Sequence, residues 1–81
     1  MKLYHLRQTE NRGYDTYSDM VVCASNEDAA RLIHPSSWQE DPWKDQYSGW
    51  CSCPENVKVQ YIGEAADNVL EGIICASFHA G

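Results

Sequence analysis

Met20-Val21-Val22-Cys23-Ala24-Ser25-Asn26-Glu27-Asp28-Ala29-Ala30-Arg31-Leu32-Ile33-His34-Pro35 decides the fold. The unbroken apolar run at 20–24 has the length of a central strand covered on both faces. Ser25 to Asp28 then starts a helix. The Ser25 hydroxyl can accept from an orphan backbone N–H, and Glu27 and Asp28 suit the positive end of the helix dipole. Ala29, Leu32 and Ile33 recur at i, i+3 and i+4 and form one apolar stripe. Pro35 disfavours helical geometry at His34, so the helix runs over 26–34. His34 sits where its ring favours the negative end of the dipole.

Outward from this unit, Lys2 to Gln8 reads as a first strand with mixed faces. Asn11-Arg12-Gly13-Tyr14-Asp15-Thr16-Tyr17 has turn composition and joins it to the second strand. On the other side, Val57-Lys58-Val59-Gln60-Tyr61 alternates and predicts a strand with one wet face. Residues 63–72 hold a short helical turn stopped by Gly72. Gly72 to Phe78 closes the chain as an apolar strand. The order is β-β-α-loop-β-β, which predicts an α+β domain: a small four-stranded, mostly antiparallel, up-and-down sheet with one main helix on a face. Leu32, Val22, Val59, Ile74 and Phe78 are the expected core.

The 81 residues make one domain, 1–81, of which 43% are apolar. Its core is thin, which favours binding over turnover of a buried substrate. Residues 35–54 form an aromatic-rich loop holding Trp38, Trp43, Trp50 and Tyr47. A loop of that length inside a small domain is packed by its own rings, functional, or both. Trp, Tyr and Arg dominate binding hot spots, and rings stack on nucleotide bases. The same rings can instead staple the loop onto the core. Tyr14 and Tyr17 pose the same choice between packing on the sheet and recognition. If an anion binds, Arg12, Arg7 and Arg31 are the side chains to meet it, because there is no Gly-rich phosphate loop and the helix start is acidic. The candidate ligand- or partner-binding set is therefore Arg12, Tyr14, Tyr17, Arg31, Trp38, Trp43 and Trp50.

Twelve acidic residues against six dispersed basic ones give a net charge of −6. Duplex nucleic-acid binding needs clustered Lys and Arg, so it is not expected. No segment has the length and apolarity of a membrane span, and none near Met1 has those of a signal peptide. A cytoplasmic setting with reduced thiols is expected. Cys51-Ser52-Cys53 lacks zinc-knuckle spacing, and His5, His34 and His79 are each isolated in sequence, so neither a metal, a cofactor nor a catalytic residue is expected. Sheet edges with few lysines or prolines predict a homodimer.

Lys2-Leu3-Tyr4-His5-Leu6, Asn11 to Tyr17, the residues Ala29, Arg31, Ile33, His34 and Pro35, and Ala76-Ser77-Phe78-His79-Ala80-Gly81 together resemble a family of small bacteriophage and prophage proteins. Small phage accessory proteins often counter host defence. The resemblance therefore implies a binding protein of that kind, sequestering a small nucleotide-like signal molecule. The alternative is an acidic interaction protein that blocks a basic surface of a host factor.

Overall fold

A computed structural model describes residues 1–11, 13–36, 41–44 and 49–79. Its strands are β1 (Lys2–Arg7), β2 (Thr16–Ala24), β3 (Lys58–Glu64) and β4 (Gly72–His79), with one helix, α1 (Glu27–Arg31). Short 3-10 turns lie at Pro42–Lys44 and Pro54–Asn56. All neighbours in the sheet are antiparallel, so the α+β architecture is as expected. The lateral order is β3-β1-β2-β4. It is not an up-and-down meander: the N-terminal hairpin is central, and the two C-terminal strands add to its opposite edges.

The hairpin is locked by Gln8. Its buried amide donates to Asn11 O at 2.7 Å and Tyr17 O at 2.8 Å, and accepts from the Asn11 N–H at 2.9 Å. Asp15 takes the left-handed backbone of the turn, with φ 61. β2 begins four residues before the apolar run. Its polar first half is irregular, because the register slips between Tyr17 and Asp19.

α1 is shorter than the apolar stripe suggested, and Asn26 replaces Ser25 as its cap. The Asn26 side chain accepts from the Ala29 N–H at 2.8 Å. Leu32 is the C-cap and is 62% exposed, so its assignment to the core is corrected. The reason is angular. With 100° per residue, Asn26, Ala29, Ala30 and Ile33 share one face, and Leu32 falls outside it. Ala30 is the helix residue that is fully buried, and its small side chain lets the backbone lie close to the sheet.

Tyr4, Leu6, Met20, Val22 and Ala24 form the sheet side of the core. Ala30, Trp50, Cys51 and Val57 close over them. Val59 packs at the margin as expected. Ile74 and Phe78 are each 49% exposed, which corrects their placement in the core. The helix packs on β1, β2 and β3, so the covering layer leaves the outer strand β4 open. The opposite face of the sheet carries Leu3, His5, Arg7, Asp19, Val21, Cys75 and Ser77. The start of β1, the end of β2, the end of β3 and the start of β4 meet at one end of the sheet. Residues 65–71 cross that end from one edge to the other. The Ala65 N–H donates to Met1 O, and the expected helical turn reduces to one bond from the Val69 N–H to Ala66 O. No helix among the described residues is long and apolar enough to cross a membrane.

Candidate functional site

The candidate residues part company in the structure. Arg12 and Trp38 lie outside the described residues, as does Tyr47. Trp50 is 1% exposed and belongs to the core. Trp43 is half-buried and meets the His34 ring edge-on, with centroids 4.7 Å apart. His34 itself is three residues beyond α1 and buried, its Nδ1 accepting from the Ser36 N–H at 2.9 Å, so it does not cap the helix. Tyr17 is half-buried against Phe78, with centroids 4.8 Å apart. Arg31 donates to Val57 O at 2.6 Å and Pro54 O at 3.4 Å, and pairs with Glu27 at 3.0 Å. Its guanidinium fastens α1 to the segment leading into β3. Tyr14 is the one described member of the set that stands largely free, at 78% exposed.

The aromatic segment and the hairpin turn do meet, but through packing. The Tyr17 N–H donates to Gly49 O at 2.8 Å, and the Asn11 side-chain amide donates to Trp50 O. Glu10 adds a second clamp. Its carboxylate accepts from the Ser52 N–H at 3.0 Å, the Ser52 hydroxyl at 3.1 Å and the Asn56 amide. Desolvation is the largest single influence on the Glu10 carboxyl and raises its pKa. The bonds from Ser52 and Asn56 together outweigh it and hold the pKa below the ordinary value of 4.5. A carboxylate with a lowered pKa in the folded state contributes stability above its unfolded pKa, and that contribution is lost as pH falls through the lowered value. Acid titration followed by circular dichroism should therefore show wild type losing stability below about pH 4.5. Glu10→Gln, with no charge to lose, should show a flatter acid limb and lower stability at neutral pH.

Sequence reasoning missed the polar ground on the open face. His5 Nε2 lies 2.8 Å from Asp19 Oδ2, an ion pair when the imidazole is protonated. A shallow depression of about 440 Å³ opens beside this pair, lined by Arg7, Thr9, Thr16 and Ser18 among others. A second, of about 270 Å³, continues from His5 and Asp19 towards Cys75 and Ser77. The signal was present in the alternation of β1, which sends Leu3, His5 and Arg7 to the face opposite Tyr4 and Leu6. Finding Asp19 beside His5 required the register.

The structure holds Cys23, Cys51, Cys53 and Cys75 as free thiols, with Cys75 exposed. Burial and the neighbouring Glu10 charge push the Cys51 thiol up to about 11, which keeps it protonated at neutral pH and poor as a nucleophile. No group of three or more His, Cys, Asp or Glu among the described residues is placed to hold a metal ion.

Charge has its own geography. Glu27 and Asp28 follow the end of β2, Glu64 ends β3, and Asp67 and Glu71 lie in the crossing connection. Glu64, Asp67 and Glu71 are exposed and stand at the same end of the sheet as Lys2. Glu27 is instead paired with Arg31, whose guanidinium bonds Pro54 O and Val57 O at the opposite end of β3. Arg7 and Lys58 are paired at the other end. Compared with known proteins, the chain matches no family model, no curated protein and no solved structure.

Proposed function

We propose that this chain is a non-catalytic accessory binding protein of phage type, working in the host cytoplasm, that covers a basic surface of a host protein with its acidic end. The gathering of Glu64, Asp67 and Glu71 at the end where residues 65–71 cross the sheet carries this reading. Carboxylates held at one end of a rigid sheet offer a concentrated negative field. Such a field steers and orients a Lys- and Arg-rich partner while discouraging nucleic acid. The packing roles of Trp50, Tyr17 and Arg31 weigh in the same direction, because they take those groups away from a stacking site.

Calorimetric titration with a Lys/Arg-rich peptide tests it. Affinity should fall at least about tenfold between about 50 mM and about 300 mM salt. It should fall by a similar factor in the folded triple variant Glu64→Gln, Asp67→Asn, Glu71→Gln. Equal binding by the triple variant and wild type would refute the reading.

A second reading keeps the nucleotide-like ligand. The depression beside the Tyr14–Tyr17 turn favours it, since Arg7, His5 and the hydroxyls of Thr9, Thr16 and Ser18 are groups that meet a phosphate. Binding of that kind would survive the acidic triple variant and disappear in Arg7→Gln.

A further inference from the structure

Two of the six basic residues stand beside each other on the open face. Arg7 and Lys58 are direct cross-strand partners of β1 and β3, so their side chains leave the sheet on the same face, with Cβ atoms about 5 Å apart. Like charges in that position repel and destabilise a sheet. The other described basic side chains are placed differently. Arg31 pairs with Glu27, Lys44 pairs with Asp41, and Lys2 stands across from Glu64. Arg7 and Lys58 are exposed, and neither side chain has a partner among the described residues. The carboxylates that could neutralise Arg7 are turned elsewhere. Asp19 is its cross-strand partner on the other side, yet Asp19 takes the diagonal His5 at 2.8 Å and the Ser18 hydroxyl at 3.3 Å. Glu10 is committed to Ser52 and Asn56. The guanidinium is thus left to the depression of about 440 Å³ that it lines. Of the hydroxyls there, Thr16 donates to Gly13 O at 2.6 Å and Ser18 donates to Asp19, which leaves Thr9 to donate to a ligand.

We propose that Arg7, Lys58 and Thr9 form a site for a phosphate monoester, with His5 as the positioning residue that holds the Asp19 carboxylate off Arg7. Charge selects the class of ligand. A monoester carries about two negative charges at neutral pH and matches the two cations, whereas a phosphodiester carries about one. Arg7 offers a planar fork to two phosphate oxygens, and Lys58 offers a point charge to a third. A doubly charged ligand also cancels the Arg7–Lys58 repulsion, which a singly charged one relieves only in part. The proposal rests on the reading that a nucleotide-like ligand occupies this depression, and it specifies the phosphate that ligand carries. It is independent of the acidic-end reading, because Glu64, Asp67 and Glu71 lie at the other end of the sheet.

Two nucleotides with the same base make the distinction measurable. Calorimetric titration at about pH 7.5, above the second ionisation of a monoester near about 6, compares adenosine 5′-monophosphate with adenosine 3′,5′-cyclic monophosphate, a diester. The monoester should bind at least about tenfold more tightly. Lys58→Gln should lose most of that preference while staying as stable as wild type, because it removes one of the two like charges. His5→Ala should weaken monoester binding severalfold. The double variant His5→Ala, Asp19→Asn should recover it, since no carboxylate is then left to compete for Arg7. A packing defect at His5 would not be rescued in this way. Equal binding of the two nucleotides overturns the monoester site and leaves the nucleotide reading standing. Binding by neither at about 1 mM overturns both. Unchanged preference in a folded Lys58→Gln variant also overturns the site, and a double variant as weak as His5→Ala overturns the positioning role of His5.

Discussion

Replacing Trp50 by Ala is expected to lower the unfolding free energy by about 3–5 kcal/mol. Among the described residues Trp50 is the largest fully buried side chain, and it packs in one cluster with Tyr4, Leu6, Met20 and Val22. The helix covering it, α1, has only five residues, so little can move in to refill the space. Small domains are stable by only about 5–15 kcal/mol, and a loss of that size takes a large part of the total. Urea denaturation should place the variant's midpoint far below that of wild type, or show it unfolded without denaturant. Trp50→Phe separates the two contributions of the indole. Its Nε1 is buried with no hydrogen-bond partner among the described residues, a cost of about 1–3 kcal/mol that Phe removes. The lost ring area is thereby partly offset, and Trp50→Phe should cost much less than Trp50→Ala. A Trp50→Ala midpoint close to wild type would show that Trp50 is not the keystone of the core.

Gly49→Ala is expected to be the next most damaging small change, at about 2–4 kcal/mol. Gly49 has φ 79, a conformation that strains any residue with a Cβ. Space is also lacking. A Cβ would lie 2.7 Å from Asp15 O and 3.3 Å from Thr16 Cα, both backbone atoms that cannot swing aside. Retreat is blocked in turn, since Gly49 O accepts the Tyr17 N–H and Asp15 is itself left-handed. The clash sits where the segment carrying Trp50 crosses the hairpin, so the damage reaches the core. Gly13→Ala, with no atom within 4 Å of its added methyl, is the control and should change stability by less than about 0.5 kcal/mol. Thermal melting of the two variants side by side checks the contrast.

Much of the sheet was legible because strands announce themselves locally. The alternation of Val57 to Tyr61 gave β3, and the apolar run at Met20 to Ala24 gave the buried half of β2. The polar half, Thr16 to Asp19, has no such pattern and becomes strand through its ladder with β1 and β4. Ile74 and Phe78 look like core residues in any window of sequence. They are exposed because β4 is an outer strand, and lateral order is not written in local composition. Leu32 misled for a different reason: the stripe chosen differed by one residue from the stripe the small Ala30 allows. The rings of the aromatic segment were visible, but their direction was not. Trp50 is carried inward by a glycine conformation and an asparagine bond whose partners, Tyr17 and Asn11, lie more than thirty residues away in sequence. The His5–Asp19 pair likewise joins residues that meet only through register.

The lateral order has a consequence for how the chain comes into being. During synthesis the β1–β2 hairpin emerges first, and it is the middle of the finished sheet. Both of its flanks stay bare until β3 and then β4 leave the ribosome, and each must find the correct flank of the same template. Gln8 and its three hydrogen bonds therefore hold a nascent intermediate together before any of the covering layer exists. A chain stalled before residue 57 would display two sticky margins at once, which makes the interval between the second and third strands the one in which this protein most needs a chaperone.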